Sequence, residues 1–102
     1  MSLKVATFNS NKRLGVKSTI LRPLCREANT NNIDVLCLQE ARKGMASNLN
    51  HPYKAVFGYS QIYSKYEIIS AKEILFNESS TNNSCYADLL INRDTIRIYN
   101  LH

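Results

Sequence analysis

The sequence predicts an α/β domain built in layers, and three observations carry that prediction. The run Ile33-Asp34-Val35-Leu36-Cys37-Leu38-Gln39-Glu40 is almost wholly apolar until it closes on an amide and a carboxylate. Short unbroken runs of Val, Ile and Leu suit a strand buried on both faces. A strand pattern ahead of it, over residues 3–9, and a helical stripe over residues 16–29 complete a strand–helix–strand unit. Such units are right-handed almost without exception and set their two strands parallel. Near the end, residues 85–91 and 95–101 flank Asn92-Arg93-Asp94 and read as a β-hairpin.

The elements follow in order. The first strand, Leu3-Lys4-Val5-Ala6-Thr7-Phe8-Asn9, ends in an amide, and residues 9–15 form a polar loop. Apolar residues at 16, 20, 21, 24, 25 and 28 fall on one helical face. Pro23 lies inside that stripe, so the helix is kinked there or regular only beyond it. Asn29-Thr30-Asn31-Asn32 supplies good stop residues. The second strand must emerge from the core at Gln39-Glu40, because an unpaired carboxylate is costly to bury.

Residues 44–52 read as a polar excursion with His51 at the surface. Residues 53–57 and 59–64 are two short strands broken by Gly58. Lys65-Tyr66-Glu67 is a turn, residues 68–76 an irregular strand, and residues 77–84 a loop rich in Asn, Ser and Thr. In the last strand, residues 94–102, alternation puts Ile96, Ile98, Asn100 and His102 on one face. Arg97, Tyr99 and Leu101 take the other.

One hundred and two residues bound the chain to a single domain, small for this class. No apolar run approaches the ~20 residues that span a bilayer, and no signal-peptide core opens the chain. No transmembrane segment is therefore expected, and the chain as it stands is placed in the cytoplasm. Cys25, Cys37 and Cys85 lie in apolar contexts without zinc-ligand spacing, so they read as buried, reduced small hydrophobes. The net charge of +5 permits a phosphate-bearing partner without requiring one.

Three strands thus end in Asn9, Glu40 and His102. If they run side by side in one direction, the three side chains converge at one rim, the edge where open α/β sheets bind ligands. The basic pairs Lys12-Arg13 and Arg42-Lys43 fall in loops at the same rim, where they would steer a polyanion. The second strand wants cover on both faces, yet one helix is in evidence. The chain therefore reads as part of a larger layered domain.

Taken together, Thr7-Phe8-Asn9, Asp34-Val35-Leu36-Cys37-Leu38-Gln39-Glu40, Ile62-Tyr63-Ser64-Lys65-Tyr66 and Tyr99-Asn100-Leu101-His102 resemble, in order and spacing, the endonuclease/exonuclease/phosphatase superfamily. The stretch 81–102 is most similar to its bacterial members. The resemblance implies the N-terminal half of a four-layer α/β/β/α sandwich with a mixed sheet, a single domain truncated at its C-terminus. It implies a metal-dependent phosphoesterase acting on a phosphodiester or phosphomonoester: nucleic acid, a phosphoinositide or a sphingolipid head group.

By the same resemblance Glu40 is the metal ligand for Mg²⁺ or Mn²⁺, Asn9 helps organise metal and phosphate, and His102 contacts the scissile phosphate. Gln39 supports the glutamate. A hard cation with one or two carboxylates and several waters is the chemistry that Glu40 can supply. The superfamily's Asp-x-Asn segment and terminal Asp-His pair do not occur in these 102 residues. The isolated chain is accordingly expected to be inactive and aggregation-prone, with apolar sheet left bare. Asn82, Asn83 and Asp88 are possible neighbours of the site, with turn and edge roles favoured. Substrate identity and oligomeric state are not fixed by the sequence. The alternatives are a non-catalytic basic module binding phosphate or nucleic acid, and an inert fragment.

Overall fold

The computed structural model describes residues 2–10, 21–42, 46, 48–75 and 83–102. Seven strands and one helix appear among them, in the order β1 (Val5–Asn9), α1 (Leu21–Thr30), β2 (Val35–Gln39), β3 (Tyr53–Phe57), β4 (Ser60–Ser64), β5 (Glu67–Ile74), β6 (Ser84–Ile91) and β7 (Asp94–Asn100). β1 and β2 are parallel neighbours, in register from Val5 opposite Val35 to Asn9 opposite Gln39. β4 adds antiparallel to β2, and β3 to β4, giving a mixed four-stranded sheet ordered β1-β2-β4-β3. β5, β6 and β7 form a second, wholly antiparallel sheet.

The helix stops where its sequence predicts. Asn32 takes a left-handed backbone (φ 54°), and the Ile33 amide reaches back to the Ala28 carbonyl at 3.1 Å. Asn tolerates that conformation, and the long back-bond satisfies a carbonyl the helix end leaves open. Pro23 sits in the first described turn, and residues 11–20, including the start of the expected stripe, lie outside the described residues. Cys25 and Ala28 are buried and Leu24 partly so, at the spacing of a single helical face.

β2 is the spine of the molecule. Val35, Leu36, Cys37 and Leu38 are all buried, each large side chain worth about 1.5–3 kcal/mol relative to exposure. Leu36 and Leu38 point to the helix side with Cys25 and Tyr63, whereas Val35 and Cys37 point to the second sheet. There they meet Ala55 and Ile62 of their own sheet and Cys85, Ala87, Leu89 and Ile91 of β6. The sequence reading found cover for only one face. The other is covered by the 67–100 sheet, so these layers are α/β/β within this chain and no further layer is needed to bury β2.

Two other expectations are corrected. The last strand ends at Asn100, not His102, and it does not lie beside β1 and β2 but in the opposite sheet. His51 is buried rather than at the surface, 7% exposed, with Nε2 2.6 Å from the Ile33 carbonyl. Its neighbourhood explains this. Asn29 holds the same loop from the helix end, its side chain donating to the Asn48 carbonyl at 3.0 Å and accepting from the Asn50 amide at 2.9 Å. His51 is thus a clip between loop and strand, with its Nδ1 buried and unpartnered among the described residues. The three cysteines are free and buried as expected, and burial pushes the Cys37 thiol up to about 12.

Candidate functional site

The carboxyl ends of β1 and β2 define one rim of the mixed sheet. Asn9 closes β1 directly across from Gln39. Glu40 follows with φ 52°, a left-handed backbone. Among the described residues the other non-glycine positions in that region are Asn32 and Asn92, a type that tolerates it; a glutamate gains nothing locally from it and carries about 1–2 kcal/mol of backbone cost. The turn lifts the chain out of the sheet, and the Ala41 amide then reaches the Tyr59 carbonyl at 2.9 Å. Beneath the turn Ser10 caps the Gln39 carbonyl twice, with its amide and its hydroxyl, both at 2.9 Å.

β7 arrives at this rim from the opposite sheet. Its last residue, Asn100, is 2% exposed and turns its side chain into the mixed sheet. Oδ1 accepts from Gln39 Nε2 at 2.7 Å, and Nδ2 donates to the Leu38 carbonyl at 2.8 Å and the Gln61 carbonyl at 3.0 Å. Gln39 Nε2 also donates to the Thr7 hydroxyl at 2.8 Å, tying β1 into the same chain of bonds. Two residues past Asn100, His102 Nε2 lies 3.9 Å from Glu40 Oε2, and the His102 amide is held by the Ser84 hydroxyl at 3.0 Å. Both side chains are about one quarter exposed (23% and 25%), so the pair faces solvent with its backs to the core.

The structure therefore brings Glu40 and His102 together and sets Asn9 at the same sheet end, one position from the glutamate. The convergence runs across the sandwich instead of along one sheet. Arg42 is exposed just beyond Glu40, and an open depression of about 670 Å³ lined by Ala41, Arg42, Val56, Gly58 and Tyr59 adjoins it. Lys12, Arg13, Lys43 and Asn82 lie outside the described residues.

Asn83 and Asp88 are structural. Asn83 donates to the Phe57 carbonyl and, at 2.8 Å, to Glu73. Asp88 lies on the outer face of the antiparallel sheet, gripped by Arg97 at 2.7 and 3.1 Å and by the Ser70 hydroxyl at 2.6 Å. Those bonds, Arg97 first, hold its carboxyl down at about 2.

Among the described residues no three His, Cys, Asp or Glu side chains gather as a metal cage. What the rim offers is one accessible carboxylate. That fits a hydrated hard cation, which keeps several of its waters, and not zinc, which wants three or four nitrogen or sulfur ligands. Asn100, Gln61 and Thr7 were not singled out from sequence as site residues. The strand alternation did put Asn100 on the same face as Ile96 and Ile98, and an amide following two isoleucines there is the signal that marks it.

By sequence, no family model and no curated protein matches the chain. By structure, it superposes on an endonuclease/exonuclease/phosphatase family protein from Leptotrichia buccalis C-1013-b with a TM-score of 0.68. The likeness is one of fold, shared with part of that protein. The match covers 99% of this chain and 55% of that one at 14% identity, so the chain spans about half the length of its neighbour. In this fold the rim that gathers Asn9, Glu40 and His102 lies where the carboxyl ends of β1, β2 and β7 meet. No helix among the described residues is long and apolar enough to cross a membrane.

Proposed function

We propose that the chain forms the N-terminal part of a metal-dependent phosphoesterase domain, with Glu40 as its metal ligand. One observation carries the reading: a glutamate in a left-handed backbone, at the end of a strand buried on both faces, presenting its carboxylate 3.9 Å from a histidine that another sheet delivers. Strain kept at such a place points to a side chain needed there. The neighbour's fold family supports the same class of chemistry.

In this reading Glu40, with Asn9 beside it, holds Mg²⁺ or Mn²⁺. The bound ion supplies charge to the phosphoryl oxygens and the leaving oxygen. His102 donates to a phosphate oxygen, which an imidazolium or the suitable neutral tautomer can do near neutral pH. Arg42 adds positive charge along the approach, effective at low salt. The substrate is a phosphate ester of nucleic acid, phosphoinositide or sphingolipid type. Water activation rests with Asp-x-Asn and Asp-His segments that these residues do not contain.

The test is to read the coding DNA past the His102 codon and assay the encoded polypeptide on a phosphodiester with Mg²⁺. Continuation into those segments, and hydrolysis abolished by Glu40→Ala, is the expected result. Hydrolysis indifferent to Glu40→Ala would sink the assignment. The net charge of +5 allows one rival, a basic module that binds phosphate without turnover. It predicts salt-sensitive nucleic-acid binding that survives Glu40→Ala.

A further inference from the structure

Asn100 belongs to one sheet, with Cys85 of that sheet beside its side chain, yet its amide makes three hydrogen bonds to the other. The two carbonyls it takes, Leu38 and Gln61, are opposite one another in the last register pair of the β2–β4 ladder. Just beyond them the ladder's regular register ends and Glu40 turns left-handed, the Ala41 amide next reaching the Tyr59 carbonyl. The amide of Asn100 fills the fork, with both N–H donors and its oxygen in use.

The polarity of the arrangement is fixed. Gln39 donates and Asn100 Oδ1 accepts, which leaves Asn100 Nδ2 for the two carbonyls. An aspartate of the same shape would set a carboxylate oxygen against two carbonyl oxygens, and a serine would lack the reach and the second donor. The Gln39–Asn100 pair sits immediately behind the Glu40–His102 pair, one residue away on β2 and two residues away on β7.

We infer that Asn100 is a positioning residue that sets the two sheets in register at the rim, so that His102 stands against Glu40. The functional meaning rests on the proposed phosphoesterase reading, but the physical claim does not. Packing of Ile98 and β6 against β2 brings the sheets together without specifying their alignment to an ångström. A buried, fully used amide does specify it, because any slip strands two carbonyls and a donor.

The ring nitrogens of His102, read by ¹⁵N NMR, test this without any metal. His51, the second histidine, is held by the Ile33 carbonyl away from the rim and reports whether the fold is intact. Glu40→Gln is expected to move the His102 ring shifts in the wild-type background. In an Asn100→Ser background that response should fall by roughly half or more, a coupling between contacting sites, while the His51 signals stay. An unchanged response overturns the inference, and so does a wild-type chain whose His102 ignores Glu40→Gln.

If Asn100→Ser loses the His51 signals and so the fold, Gln39→Met decides. It removes the donor to Asn100 Oδ1 and leaves the two carbonyl bonds, and the same attenuation is expected. Mn²⁺ titration of these chains separates the two claims. No Mn²⁺ binding by wild type defeats the phosphoesterase reading and leaves Asn100 judged on the ring shifts. Binding that weakens about 10–100-fold in Asn100→Ser supports both.

Discussion

His102 stands 3.9 Å from Glu40 although the two residues belong to different sheets, and the contact is backed by Gln39 and Asn100 meeting at 2.7 Å directly behind it. The rim is thus assembled from two layers. The carboxylate comes on a strained turn of the mixed sheet, and the imidazole comes on the tail of the antiparallel one.

The left-handed backbone at Glu40 is tolerated rather than preferred. Glu40→Gly should therefore raise stability by about 1 kcal/mol, since glycine adopts that φ freely. Glu40→Gln should leave stability within about 0.5 kcal/mol of wild type, because it keeps the side chain's bulk and the strain. Urea midpoints of the three proteins check this. A glycine variant less stable than wild type would mean that the backbone is not strained.

Asn100→Asp should destabilise the chain by at least about 2 kcal/mol. The substitution conserves shape but faces a carboxylate with the Leu38 and Gln61 carbonyls in a buried place. Chemical denaturation gives the difference. Near-wild-type stability would show that the amide is not oriented as described.

Asp88 carries the pH dependence. Its carboxyl is held at about 2 in the fold by Arg97 and Ser70, below the ~3.9 of an unfolded aspartate. A group with a lowered folded pKa adds stability in full above its unfolded value and loses it as pH falls toward its folded one. The urea midpoint of wild type should accordingly drop between about pH 4 and pH 2. Asp88→Asn should flatten that part of the curve, and an equal slope in both proteins would refute the assignment.

The thiols should be inert. Cys25, Cys37 and Cys85 are free and buried, and burial raises all three, with Cys37 at about 12. A thiol-specific disulfide reagent at pH 8 should label the native chain slowly and all three sites at once in denaturant. Rapid labelling of the native state would place a cysteine outside the core.

What the sequence made legible was local. The β1–α1–β2 unit followed from a periodic stripe between two apolar runs, and the turn at Asn92 from residues that accept φ 58°. Alternation correctly set Ile98 and Asn100 on one face and Arg97 and Tyr99 on the other, and the structure shows the first to be the inner one. What it hid was the pairing of sheets. Cover for Val35 and Cys37 comes from Cys85, Ala87 and Leu89, a contact between distant segments that no periodicity records. The sequence reading for that reason made convergence conditional on β7 running beside β1 and β2, whereas it lies in the opposite sheet. His51 was missed for a similar cause, since the Ile33 carbonyl that draws it in lies in the α1–β2 connection, distant in sequence. At the site, the residue types at the strand ends were visible in advance. The amide network that aligns them was not, because its logic lies in which carbonyls the fork at Glu40 leaves open.

The most direct test of the central claim is a calorimetric titration of Mn²⁺ into wild-type chain and into Glu40→Gln. The account predicts one bound ion in wild type and affinity at least about 10-fold weaker in the variant, with the fold of both intact by circular dichroism. Equal affinity in the two proteins, or none in wild type, would contradict it.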